Sequence, residues 1–172
     1  LNQMGILSKL ISSPYETKAT NDKNSGPQLN IEVASENLVT RFTAATFSNC
    51  QISASPSDTK HLLEISDQRP INNLIDLTNE LTLLYGLPTH IFDLDKLAIQ
   101  SLTIREAKNG EKITTLDNQS HDLVIGDIII EDGDHRIVDL CGIMGGQVAQ
   151  VDEHTKNILF IAPVYNPKNI RQ

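Results

Sequence analysis

RPINNLIDLTNELTLLYGLPTHIFDLDKL, residues Arg69 to Leu97, holds a whole helix together with its stop. Pro70 suits a first helical turn, where a missing N–H is no loss, and Asp67 stands in reach as a cap before it. Ile71, Leu74, Thr78, Leu81 and Tyr85 recur at helical spacing. That spacing predicts an amphipathic helix over 70–85, packed through this stripe. Gly86 and Pro88 end it. Asn72, Asp76 and Asn79 fall at i, i+4 and i+7 on one face, with Thr78 beside them. The ordinary reading of such a face is a solvated one. Just past the turn come His90, a hydrogen-bonding group or a base, and Asp93, a cap or a solvated acid.

On the N-terminal side, Leu29, Ile31 and Val33 alternate with polar residues, the period of a half-buried strand. Arg41–Ser48 is a second expected strand, and Asp58–Ile65 a weak helix. Residues 1–11 look like a short apolar helix, and 12–28 read as a polar, mobile linker. After Leu97 the pattern turns to short strands: Leu102–Arg105, Lys112–Leu116, Leu123–Ile125, Asp127–Glu131, Arg136–Leu140 and Ile158–Ala162. Asn109-Gly110, Asp117-Asn118, Asp132-Gly133-Asp134 and Gly145-Gly146 separate them as turns. The expected fold is therefore α+β and β-rich, an antiparallel, barrel-like sheet with the 70–85 helix packed on it.

The chain has 172 residues, enough for one domain, or two small subdomains sharing a core. It is 39% hydrophobic, but only 4% aromatic and without tryptophan, so that core is aliphatic. A formal net charge of −8 argues against a broad phosphate-binding face. No run reaches transmembrane length. Cys50 and Cys141 stand far apart with no CxxC or His/Cys cluster, so they read as reduced thiols of a cytoplasmic protein. A structural metal is not expected. Glu106, Glu111 and Asp117 surround a turn and are expected to be solvated. Cys141-Gly142-Ile143-Met144-Gly145-Gly146 is either a tight bend or a close backbone approach to a ligand.

Several of these stretches, in this order, resemble one family. Arg69-Pro70-Ile71-Asn72-Asn73, Asp76-Leu77-Thr78-Asn79, then Gly86, Pro88, His90, Phe92 and Asp93 are similar to the B3/B4 region of bacterial phenylalanyl-tRNA synthetase β subunits. Arg105 with Ala107, Gly110-Glu111, Leu116-Asp117, Gly142-Ile143-Met144-Gly145-Gly146, Thr155-Lys156-Asn157-Ile158, Asn166-Pro167 and Ile170-Arg171 continue the likeness over residues 29–172. The resemblance implies that 1–28 is the remnant of a preceding domain plus a linker, and that 29–172 is the B3/B4 domain of a longer subunit.

The resemblance also implies an activity, the hydrolysis of tRNA mischarged with tyrosine. His90, Asn79 and Thr78 correspond to catalytic editing-pocket residues, and Gly142, Gly145, Cys141, Ile161 and Ala162 to substrate-binding positions. Implied partners are the α subunit, in a heterotetramer of two α and two β chains, and the 3′ end of tRNA(Phe). ATP and Mg would serve the parent ligase, with no cofactor in this segment. Two departures matter. Ile161 stands where the family has the glutamate that reads the tyrosine hydroxyl, with Pro163 close by, and Cys141 replaces a smaller residue, which narrows the pocket. An apolar pocket separates such isosteres poorly. The alternative implied by these departures is a module that braces the synthetase and no longer edits.

Overall fold

In the computed structural model, which describes residues 29–98 and 101–170, the elements in order are β1 (Asn30–Val33), β2 (Val39–Phe47), α1 (Ser57–Ile65), α2 (Asn73–Tyr85), β3 (His90–Asp93), β4 (Ser101–Glu106), β5 (Lys112–Thr114), β6 (Ser120–Asp122), β7 (Ile128–Asp132), β8 (Ile137–Leu140), β9 (Met144–Gly145), β10 (Ile158–Tyr165) and α3 (Pro167–Ile170). The segment 1–28, expected as a remnant and linker, lies outside the described residues. The fold is α+β and strand-rich. Its strands divide among three sheets rather than closing one barrel: β1-β4-β7-β8-β9, β2-β10-β3, and the β5-β6 hairpin. All pairings are antiparallel except β1 with β4.

The Ile128-Ile129-Ile130 run explains the layering. A continuous apolar strand needs cover on both faces. Ile128 and Ile130 face the main core with Leu102, Ile104 and Val138 of the five-stranded sheet and Phe92, Leu159 and Ile161 of the three-stranded one. Ile129 faces the other way, against Ile113 and Leu123 of the hairpin region. Each such fully buried side chain contributes about 1.5–3 kcal/mol. Leu123–Ile125 is not the strand expected. The hairpin's second strand ends at Asp122, and Leu123 instead packs with Ile113 and Ile129 while Val124 and Ile125 are exposed.

Helix α2 starts later than the sequence suggests. Asn72, not Asp67, is its cap, accepting from the N–H groups of Leu74 (3.1 Å) and Ile75 (3.0 Å). Asp67 sits instead at a positive φ of 58° in the preceding turn. The expected stripe is also rotated. Leu74 and Ile75 pack on Ile91, Val151 and Ile158, whereas Ile71 and Tyr85 are 63% and 70% exposed. The polar face is only partly solvated: Asn72 and Asn79 are half-buried, and Asp76 is fully buried, accepting from the Ser55 hydroxyl and from the Ile71 N–H (2.8 Å). Gly86 takes the left-handed conformation (φ 67°) that stops the helix and sends the chain into β3.

Glu111 is not a solvated turn residue either. Its carboxylate takes a two-pronged contact from Arg105 (2.9 and 2.7 Å), and Arg105 also binds Glu131 (2.6 Å). The guanidinium bonds hold Glu111 down at about 2. For Glu131, burial opposes ionisation, but its bonds from Arg105 and His135 outweigh it and hold the carboxyl below the usual range. Asp117 is exposed, as expected, and accepts from the Thr115 hydroxyl (2.6 Å), which shapes the 115–119 turn. Asp93, buried, accepts from the Thr155 hydroxyl at 2.6 Å and caps the following short turn through the Asp95 N–H.

Candidate functional site

His90 opens β3 and pairs across the ladder with Ile161 on β10. The residue before it is tied to α2, because the Thr89 hydroxyl donates to the Thr78 carbonyl at 3.1 Å. The helix and β3 are thereby fixed to one another at the site. The imidazole stands edge-on to the Phe92 ring, centroids 4.6 Å apart and planes at 81°. Burial lowers its pKa to about 4, so it is neutral near physiological pH. It has no hydrogen bond to any described residue, which leaves a ring nitrogen for a ligand or water.

The glycine-rich turn closes on this ring. Met144–Gly145 forms the short strand β9 beside β8, and Leu116 donates to the Gly145 carbonyl at 3.0 Å. A Cβ on residue 145 would lie 2.6 Å from both Cε1 and Nε2 of His90. Only glycine allows the backbone this close. The turn is thus a bend, and the close approach it makes is to the His90 ring.

Two cavities meet at His90. One, about 150 Å³, is lined by His90, Gly142, Gly145, Ile161, Asp139 and Tyr165 among others. The other, about 260 Å³, is lined by Thr78, Asn79, Thr89, His90, Leu116 and Gln150 among others. The structure therefore brings His90, Gly142, Gly145 and Ile161 together on one side, and Thr78 and Asn79 on the other. Thr78 spends its hydroxyl proton on the Ile75 carbonyl (2.7 Å), so its oxygen can only accept from a ligand. Asn79 has no hydrogen bond to a described residue, which leaves both ends of its amide for a ligand. Cys141 is 1% exposed and does not line the cavity; it stands behind the wall against Asp139 and Tyr165. Ala162 lies one residue past Ile161 on β10, so its side chain points to the opposite face.

Asp139 and Tyr165 were not among the expected site residues. Asp139 sits in the apolar run Ile137-Val138-Asp139-Leu140-Cys141 and is 5% exposed. Burial pushes its carboxyl up to about 7; the neighbouring Cys141 thiol offsets this only in part. Cys141 itself is pushed up by burial and by the adjacent acid. The Tyr165 hydroxyl is buried beside the Cys141 thiol, and burial raises its pKa. A lone acid inside an apolar strand is the sequence signal that marks this corner. Among the described residues no three His, Cys, Asp or Glu side chains gather as a metal site. None of the described helices is long and apolar enough to cross a membrane.

These features define a strand-rich α+β domain whose two-lobed pocket is centred on a neutral imidazole and a glycine turn. A family model of the B3/4 domain matches residues 38–172, and the chain belongs to that family. It is 34% identical over 167 residues to the phenylalanine–tRNA ligase beta subunit of Streptococcus pyogenes serotype M1, covering 97% of this chain and 21% of that protein. The Streptococcus mutans serotype c counterpart is 37% identical over the same shares. The protein of that name from Carboxydothermus hydrogenoformans is 39% identical over 151 residues, 88% of this chain and 19% of its own. The chain thus spans about a fifth of the length of these relatives. An N-terminal fragment of the phenylalanyl-tRNA synthetase beta subunit from Pyrococcus horikoshii shares the fold, with a TM-score of 0.61 at 14% identity over 84% of this chain and 45% of that one.

Proposed function

We propose that this chain is the B3/4 module of a phenylalanine–tRNA ligase β subunit, and that its pocket hydrolyses the ester of tRNA mischarged with tyrosine. The observation that carries this reading is the neutral, unpaired His90 between two cavities. The smaller lobe has the volume of a cavity that takes one benzene ring, about 150 Å³. It suits an amino-acid side chain. The wider lobe, with Thr78 and Asn79, suits the terminal ribose and the ester.

In this arrangement the ester carbonyl lies beside His90. The Asn79 amide donates to the carbonyl oxygen, and a His90 ring nitrogen accepts from the attacking water. Water adds to the carbonyl carbon. The bond from that carbon to the ribose oxygen then breaks, and the water's proton ends on the ribose oxygen. Free tyrosine and uncharged tRNA leave. A histidine titrating near 4 is a weak base, so orienting water is its larger part. The α subunit, the heterotetramer, ATP with Mg, and a cytoplasmic setting belong to this same reading of the parent ligase. A second reading is favoured by Ile161, apolar and fully buried at the pocket wall: a bracing module without editing.

The test is deacylation of tyrosyl-tRNA by the complete ligase. The wild type should clear the ester, and His90→Ala should slow it by about a hundredfold or more. No clearance by the wild type, with aminoacylation intact, would select the bracing reading.

A further inference from the structure

The smaller lobe contains a polar corner that the reading above does not use. Asp139 is 5% exposed, lines the cavity, and has no cationic partner among the described residues. The thiol of Cys141 stands beside it, and the buried Tyr165 hydroxyl, on the other side of that thiol, completes the cluster. The rest of that wall, Leu140, Ile161 and Pro163, is apolar. A buried carboxyl without a proper partner carries a desolvation cost, so such a group normally finds a hydrogen bond or is replaced by carbon. Nothing in the local strand requires an acid at 139. Its backbone pairs in the β7–β8 and β8–β9 ladders, and that pairing does not depend on a carboxyl side chain.

What binds here must therefore bring a polar group on an otherwise compact, apolar body. The cavity admits about one ring. We propose that Asp139 is the specificity-determining residue of this pocket, its carboxyl forming the hydrogen bond to the hydroxyl at the far end of an aromatic side chain such as that of a tyrosyl ester. This assignment rests on the editing reading for its substrate. It supplies from β8 the hydroxyl-reading acid that Ile161 cannot supply from β10. A carboxyl raised to about 7 by burial suits the part, because as the neutral acid it both donates and accepts, and it avoids an unpaired buried charge in the empty pocket.

The experiment is a binding titration of the 172-residue chain with tyrosinol and phenylalaninol, followed by NMR. The two probes differ only in the hydroxyl and share the ammonium group. The wild type should bind tyrosinol about tenfold more tightly, the worth of roughly one good hydrogen bond. Asp139→Leu should bring that ratio to one or below by weakening tyrosinol alone. Asp139→Asn, which keeps a donor and an acceptor, should retain part of the preference. Thermal melts show whether each variant is folded. An unchanged ratio in Asp139→Leu overturns the proposal. So does equal weakening of both probes, which would assign Asp139 to the ammonium group, and so does absence of binding of either probe to the wild type at millimolar concentration. Deacylation by the complete ligase is read separately. An Asp139-dependent preference without hydrolysis would sink the editing reading and leave the hydroxyl assignment standing.

Discussion

Gly145 and His90 are in contact in a way that makes each diagnostic of the other. A methyl group on residue 145 would stand 2.6 Å from two ring atoms, so the imidazole must move. Phe92 stands edge-on to the ring, so the shift carries the imidazole out of that contact and into one of the two cavities that flank it. Gly145→Ala should cost about 1–3 kcal/mol of stability, as overpacking does. It should also cut tyrosyl-tRNA hydrolysis by more than about tenfold, because small misplacements are expensive in catalysis. Thermal melts and deacylation rates check it; full activity would separate the turn from the reaction. The pocket's two titrating residues make a second prediction. Burial lowers His90 from 6.5 to about 4 and raises Asp139 from 3.8 to about 7. Between those limits the unfolded histidine holds a proton that the folded one has lost, so the His90 contribution is complete above about 6.5 and disappears as pH falls through 4. The folded aspartic acid keeps a proton that the unfolded one releases, so its contribution is complete below about 4 and disappears as pH rises through 7. The slopes oppose one another. Against the wild type at each pH, Asp139→Asn should gain stability between pH 5 and 6.5, and His90→Gln should lose it. Each difference should change by about 1.4 kcal/mol per pH unit at most. Urea melts at those two pH values read it, and differences that stay flat would contradict the burial of both groups.

At the scale of elements, α2 shows where local pattern stops being informative. Asp76 looks like one member of a solvated stripe, yet it is sealed between Ser55 and the Ile71 N–H. Asp76→Ala should therefore cost about 3 kcal/mol, since the buried Ser55 hydroxyl and the half-buried Ile71 N–H lose their acceptor. A solvated residue would change stability by less than about 0.5 kcal/mol, so a chemical melt decides between the two. Asn72→Ala, which removes only the cap, should cost about 1 kcal/mol. The helix itself, its glycine stop and most strands were legible, because their signals are local: periodicity, Gly86, and the turns at Asn109-Gly110 and Asp132-Gly133-Asp134. Which face turned inward was not, because the decisive partner, Ser55, is 21 residues away from Asp76. Strand β3 was missed because HIFD is too short to show a period, and it forms by pairing with β10 almost seventy residues later. The parallel β1–β4 pairing has the same character. Pro163 within β10 is also explained only in three dimensions. The β3 ladder stops at Ile161, so beyond it the strand has one neighbour and tolerates a missing N–H. Of the site, His90, Asn79, Thr78 and the glycine turn could be named through their resemblance to a family. Asp139 could not, because that resemblance directs attention to position 161, and only the packing of β8 beside β10 puts the two in one cavity.

For the whole molecule, charge limits how a nucleic acid can be held. The formal net charge is −8, and Lys96, Lys112, Arg105 and Arg136 are already engaged with carboxylates. Arg105 is held by Glu111 and Glu131, and Arg136 by Asp132, so neither guanidinium is free for a phosphate. Phosphate contacts supply most of the sequence-independent affinity for nucleic acids and carry its salt dependence. A surface of this charge offers few of them. The reading as an editing module survives, because the pocket needs to recognise only one aminoacylated nucleotide end. The remaining four-fifths of a chain like the relatives would have to bring the tRNA to it. The 172-residue chain alone should thus bind uncharged tRNA weakly, with a Kd above about 10 µM at physiological salt, in the range of non-specific binding. Lowering the salt should strengthen binding only modestly, since the slope counts neutralised phosphates. Fluorescence anisotropy with labelled tRNA at two salt concentrations measures both quantities. Sub-micromolar affinity with a steep salt slope would mean that a basic track exists on this chain, and the pocket would then belong to a domain that docks tRNA directly rather than one that receives only its end.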